Sequence, residues 1–265
     1  MKILARLSLV LFLAWGISRA EATTTVTVFA AASLTESMRD MAAQFESANP
    51  GVAIEFNFAG SQDLVAEMEN GAAADLFASA NETQMDKAAK EGLVNPATIH
   101  DFAGNHLVVV VPKDNPAKIG QIGDLARSGV KIVVADKAVP VGKYTQQMLD
   151  RMSGDSAYGP DFEKGFLANV VSREENVKSV LSKVRLGEAD AGVVYETDVT
   201  KEAEQEVQRV EVPEKFNQLA SYPIAVAAKS AQAQAAQKFE DFVMSDAGQK
   251  ILHDYGFLPP AASKP

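Results

Sequence analysis

The groups best suited to do chemistry are hydroxyls at the ends of strand-like runs, with almost no side-chain bulk beside them. In Phe29–Leu34, FAAASL, three alanines lead into Ser33 directly after TTTVTV. Ala59-Gly60-Ser61 repeats the device after the run Ala53–Phe58 and opens the helical pattern Gln62–Asn70. Val139-Pro140-Val141-Gly142 follows Lys131–Ala135 and opens a third helix, with proline tolerated in the first turn. Asn176-Val177 opens a fourth. A helix start offers unpaired N–H donors and roughly half a positive charge. Several aimed at one cleft make an anion site that needs no cation. Small residues at a strand's carboxyl end let a ligand approach the backbone where ligands of open α/β sheets bind. Ser33 also begins S-L-T-E, a capping box with Glu36. Capping and ligand binding are compatible, because a hydroxyl can accept from a capped N–H while donating its own proton outward.

The elements that must hold these groups alternate strand and helix, the pattern of an α/β fold with parallel sheets. The first set is strand Thr25–Phe29, helix Leu34–Ser47, strand Ala53–Phe58, helix Gln62–Asn70, strand Asp75–Ala78 and helix Glu82–Glu91. His106–Val111 then reads as a continuous apolar strand buried on both faces. A second set follows, with a short helix at Ile119–Arg127, strand Lys131–Ala135, helices Val141–Met152 and Phe162–Phe166, strand Asn169–Val171, helix Val177–Leu186 and strand Ala191–Tyr195. Strand Ile224–Ala228 and helices Ala231–Met244 and Ala247–Tyr255 close the chain. Glu69–Phe77 and Arg185–Val193 share one order: helix, glycine, Ala-Asp, strand. Either a common turn is used twice, or two similar lobes face each other across a cleft.

Lys2 and Arg6 precede the apolar run Leu7–Ile17, and Ala20-Glu21-Ala22 supplies an A-x-A cleavage signal. Residues 1–22 therefore read as a secretory signal peptide, too short in its apolar run for a membrane anchor. The 265-residue chain has no cysteine, so it carries neither a disulfide framework nor a lipid-bearing cysteine at the cleavage site. A soluble, monomeric protein of the bacterial periplasm with no membrane anchor is the expectation. The formal net charge of −10 becomes about −12 once the leader's Lys2, Arg6, Arg19 and Glu21 are removed. Such acidity argues against nucleic acid, heparin or an anionic membrane as partner. It also repels any anionic ligand at long range, so a local site has to overcome the field.

Catalysis finds little support. A serine nucleophile needs a base, and only His100, His106 and His253 are present, none in a G-x-S-x-G elbow. The Ser-x-x-x-Lys run Ser179–Lys183 sits inside a helical pattern, and no H-x-H, H-E-x-x-H or cysteine pair offers a metal site. The expectation is a protein that is not an enzyme and holds no cofactor.

The run VTVFAAASLTESM, with GSQDL, ADLFASA, LVVVVPK, VPVGKY, GVVYETD, YPIAV and YGF, resembles the periplasmic molybdate-binding proteins of ABC importers. The resemblance covers essentially the whole chain after the leader, and FAAASL and Pro140–Tyr144 are its most specific pieces. It implies a two-lobed type II periplasmic binding protein, each lobe a mostly parallel sheet flanked by helices. One lobe would comprise residues 23–104 and a return segment 223–265, the other residues 105–222, with crossovers near Gly104–Val109 and Tyr222–Val226. It implies an oxyanion held by the hydroxyls of Ser33, Ser61 and Tyr195 and by the backbone amides of Val141 and Val177. Molybdenum or tungsten would then be bound as the oxyanion, without direct coordination. The implied partners are a membrane permease and its cytoplasmic ATPase. Gly60, Asp63 and Val141 depart from the family pattern. Asp63 is expected to engage its own helix N-terminus, and Lys143 to be a solvated helix residue rather than a counter-ion. Molybdate and tungstate, tetrahedral dianions of nearly equal size, are not separable from sequence. Sulfate, phosphate or an organic acid remains the alternative solute, and ferric ion is disfavoured because Tyr195 has no adjacent tyrosine.

Overall fold

Among the described residues, ten strands form two sheets of five, and the chain crosses between them twice. The computed structural model describes residues 23–260, so the expected leader, residues 1–22, lies outside the described residues. The strands are β1 (Thr24–Ala31), β2 (Val52–Ala59), β3 (Leu76–Ala78), β4 (His100–Asn105), β5 (Leu107–Pro112), β6 (Ile132–Ala135), β7 (Val170–Glu174), β8 (Ala191–Tyr195), β9 (Val207–Glu211) and β10 (Ala220–Val226). The helices are α1 (Thr35–Ala48), α2 (Ser61–Glu69), α3 (Glu82–Lys90), α4 (Pro140–Ser153), α5 (Pro160–Ala168), α6 (Val177–Arg185), α7 (Ala233–Met244) and α8 (Asp246–Asp254).

The first sheet has the order β2-β1-β3-β10-β4 and the second β7-β6-β8-β5-β9. In the first, β10 runs against both of its neighbours, so the remaining strands share one direction. In the second, β5 plays the same part. The odd strand in each sheet is the one that enters straight after a crossover. Every residue of β5 and of β10 is buried, which explains the unbroken apolar character of β5.

The two lobes are built alike at a detailed level. After α2, Gly71 takes φ +92° and the chain turns into β3; after α6, Gly187 takes φ +71° and the chain turns into β8. Both positions need a left-handed backbone, which glycine adopts without steric cost. The Ala-Asp pair that follows does the same work in each lobe. Asp75 accepts from the Thr27 N–H at 2.9 Å, and Asp190 accepts from the Lys131 N–H at 2.8 Å. Each aspartate thus pins the start of its strand to the parallel strand beside it.

Three expectations change. Strands β4 and β9 went unread because neither is an apolar run: β4 opens on the exposed His100 and Asp101, and β9 buries only Val207 and Val210 among polar residues. Helix α5 is longer than Phe162–Phe166, because only those two side chains are buried while Pro160, Asp161 and Glu163 supply a favourable first turn. The second crossover occupies residues 212–219, upstream of Tyr222–Val226. β10 begins at Ala220 rather than Ile224, and Pro223 is accommodated at a register shift between Tyr222 and Pro223 inside it.

One buried group stands apart from this packing. Glu240 on α7 is fully buried and neither of its carboxylate oxygens has a hydrogen-bond partner among the described residues. The nearest potential cation, His100 Nε2, is 3.9 Å away. Burial, with help from neighbouring Asp241, pushes the Glu240 carboxyl up to about 7. Between the ordinary carboxylate range and neutral pH, the folded protein therefore holds a proton that the unfolded chain has released, and stability falls as pH rises through this window. Glu240→Gln is expected to raise the melting temperature at about pH 8 and to change it little near pH 4. Equal melting temperatures for the two proteins across that range would show that the carboxylate is not strained.

Candidate functional site

The four helix starts singled out in the sequence meet at one small cavity between the lobes. It is small, with about 210 Å³ of space inside its lining, open solvent at its mouth included. Ser33, Ser61, Val141, Val177 and Tyr195 all line it, so the structure brings every expected site residue together. The rest of the lining comes from Ala31, Ala32, Ala59, Gly60, Ala80, Val139, Pro140 and Asn176. No lining residue carries a charged side chain.

Each donor is positioned by a strand that ends at the cavity. β1 leads through a 3₁₀ turn, Ala32–Leu34, into α1, and Ser33 sits within that turn. β2 leads through Gly60, the N-cap, to Ser61 as the first residue of α2. Ser61 Oγ accepts from the Ala80 N–H at 3.1 Å, which leaves its own proton free to donate. Val141 is the second residue of α4, after Pro140, so its N–H is among those a helix leaves unpaired. Val177 is the first residue of α6. The Asn176 cap accepts from Ser179 N at 2.9 Å and Ser179 Oγ at 3.2 Å, which occupies its acceptor and does not engage the Val177 N–H.

Tyr195 ends β8, and its hydroxyl is buried without a hydrogen-bond partner among the described residues. A buried phenol in that condition costs free energy unless something accepts from it. Burial also holds the Tyr195 phenol well above its ordinary value, so it stays protonated and remains a donor.

The expected capping box is absent. Neither the 3₁₀ turn nor α1 has a side-chain cap, and Glu36 instead accepts from Lys178 Nζ at 2.8 and 3.1 Å. A charge-assisted pair outcompetes a single bond to a backbone N–H. Lys178 also lies 3.4 Å from the buried Asp198. Although burial works against its ammonium, Asp198 and Glu36 hold Lys178 above its ordinary value. Ser33 Oγ lies 3.1 Å from Tyr222 Oη, a residue that the sequence placed only at a crossover. A polar aromatic before a proline in an otherwise apolar strand was the signal for it.

Two flanking residues also differ from expectation. Asp63 does not cap α2; its carboxylate accepts from Gln62 Nε2 at 2.8 Å and stays outside the cavity lining. Desolvation, then the charges of Glu175 and Glu67, raise its pKa. Lys143 is half-buried and donates to Thr83 Oγ1 of the opposite lobe. It belongs to a polar seam around the cavity. Gln62 Nε2 donates to Glu175 O at 2.8 Å, Gln84 Nε2 to Ala138 O at 3.2 Å, and Lys178 to Glu36, all between lobes.

Residues 26–258 match the family of bacterial extracellular solute-binding proteins. The molybdate-binding protein of Mycobacterium bovis is 39% identical over 237 residues, covering 89% of this chain and 85% of that protein. The molybdate-binding protein of Escherichia coli is 33% identical over 239 residues, covering 88% of each chain. Among solved structures, the sulfate-binding protein of Mycobacterium tuberculosis superposes with a TM-score of 0.80 at 23% identity, covering 89% of this chain and 87% of that one. At that identity the likeness speaks for the fold alone.

At Gly60 the lobes approach closely. A Cβ there would lie 2.5 Å from the Glu175 carbonyl oxygen of the other lobe, a backbone atom with little room to yield. Gly60→Ala is therefore expected to leave the melting temperature of the ligand-free protein nearly unchanged. It should weaken anion capture in calorimetry by roughly 5- to 150-fold, the factor equivalent to ~1–3 kcal/mol of overpacking. Unchanged affinity would mean that the lobes close on the anion without this approach.

Proposed function

The chain belongs to the bacterial extracellular solute-binding proteins, and from that premise we propose that it captures molybdate and delivers it to the permease of an ABC importer. The relatives at 33–39% identity over most of the chain support molybdate as the solute. The observation that carries the reading is the cavity itself, in which hydroxyl and amide donors from both lobes converge and no charged side chain takes part.

In this reading Ser33 and Ser61 donate their hydroxyl protons from one lobe. Val141 and Val177 donate backbone N–H groups from the other, and the Tyr195 phenol completes the shell. The helix starts supply the positive potential that offsets the chain's acidity. Tungstate offers the same acceptors in nearly the same geometry and binds by the same contacts. The protein works as a periplasmic monomer without catalysis, and the importer's cytoplasmic ATPase drives the uptake that follows. Phosphate is disfavoured because near neutral pH it keeps a proton that needs an acceptor. Asp63 stands outside the lining and the Asn176 carbonyl oxygen is already engaged. A buried proton without an acceptor costs ~1–3 kcal/mol. Sulfate has no such proton, but it is smaller, and rigid donors set for molybdate reach it with longer bonds.

Isothermal titration against molybdate, tungstate, sulfate and phosphate tests the reading. Tight binding of the first two, much weaker binding of sulfate and none of phosphate are expected, and sulfate binding as tightly as molybdate would overturn the choice of solute. A hydrogen bond to a charged group contributes ~1.5–3 kcal/mol, so Ser33→Ala or Ser61→Ala should weaken molybdate roughly 10- to 150-fold. Tyr195→Phe should also weaken it while barely moving the melting temperature, because the ring is kept. Wild-type affinity in all three variants would remove these residues from the site.

A further inference from the structure

We propose that Tyr222 is a positioning residue that fixes Ser33 as a proton donor toward the bound oxyanion, under the control of Asn105. The proposal rests on the molybdate reading above and adds residues that lie behind the cavity rather than on it.

The direction of each hydrogen bond follows from one backbone contact. Asn105 Oδ1 accepts from the His106 N–H at 3.0 Å, which orients the amide and turns its NH₂ group the other way. That group donates to Thr197 Oγ1 at 2.7 Å and faces Tyr222 Oη at 3.4 Å. An amide nitrogen offers no lone pair, so the Tyr222 proton cannot point at Asn105. Among the described residues the one other hydrogen-bond partner of Tyr222 Oη is Ser33 Oγ, at 3.1 Å, since the Tyr195 phenol beside it makes no hydrogen bond. Tyr222 therefore donates to Ser33, and the Ser33 proton, denied that direction, is left for the cavity that Ser33 lines.

The relay is dry and held by packing. Tyr222 is fully buried and Asn105 is 1% exposed. Phe102, Tyr195 and Phe257 surround the Tyr222 ring edge-to-face, with centroids 6.3, 5.8 and 5.5 Å away. Those contacts belong to the ring and would survive loss of the hydroxyl. Without the Tyr222 proton, Ser33 can turn its own proton onto another partner or offer a lone pair to the ligand, and the site ceases to be donor-only.

Calorimetric titration with molybdate of the wild type, Tyr222→Phe, Ser33→Ala, the double variant and Asn105→Asp tests this, with the ligand-free melting temperature measured for each. Tyr222→Phe is expected to lower affinity roughly 3- to 10-fold, the range of one neutral hydrogen bond. In the Ser33→Ala background the same change should alter affinity less than about two-fold, because a residue acting through a partner has no effect once the partner is gone. Asn105→Asp keeps the acceptor for His106 and replaces only the NH₂ donor. It reverses the relay, so that Tyr222 donates to the new carboxylate and Ser33 to Tyr222, and it should weaken molybdate at least as much as Tyr222→Phe. Additive losses in the double variant, or wild-type affinity in Tyr222→Phe or Asn105→Asp, would overturn the proposal. Should Tyr222→Phe fail to fold, Asn105→Asp alone decides it. A wild type that ignores molybdate would instead overturn the functional reading, and this inference with it.

Discussion

Meeting an anion's charge with backbone N–H groups and hydroxyls alone sets the terms for the rest of the molecule. The potential of a helix start fades within its first turn, so several starts must reach nearly the same point. Neighbouring parallel strands provide this in pairs. β1 and β2 pair in parallel and deliver Ser33 and Ser61; β6 and β7 pair in parallel and deliver Val141 and Val177. A single sheet supplies one such pair, and the second has to come from a facing lobe. The alanines before Ser33 and Ser61 follow from the same demand, since bulk at a strand end would keep the ligand away from the amides. The two crossovers are what allow two sheets to aim their carboxyl ends at one place.

The sequence was most legible where the determinants are local. The small residues before Ser33 and Ser61, Pro140 in the first turn of α4 and the Asn176 cap of α6 each announce a helix start within a few residues. The Gly and Ala-Asp repeat was equally readable, and the structure shows its use in the matching bonds of Asp75 and Asp190. What was lost depended on distant partners. The S-L-T-E motif has the pattern of a cap, but Lys178, far along the chain, draws Glu36 away. Edge strands β4 and β9 lack the apolar alternation that burial on one face imposes on other strands. The first four residues of β10, Ala220–Pro223, went unread, because a bulge that tolerates proline is a property of the pairing and not of the segment. Tyr222 was invisible as a functional residue for the same reason, since its partners Ser33 and Asn105 are separated from it by 189 and 117 residues.

The polar seam between the lobes has a consequence for turnover of the receptor. Gln62 on Glu175, Gln84 on Ala138, Lys143 on Thr83 and Lys178 on Glu36 are contacts that water can replace one by one as the lobes part. Half-exposed pairs of this kind are individually worth little. A greasy rim would have glued an unloaded receptor shut and left it competing uselessly for the transporter. In the proposed function, a wettable rim lets the cargo tip the balance toward closure and lets the empty shell reopen once the cargo departs. The clasp is reversible because it is weak.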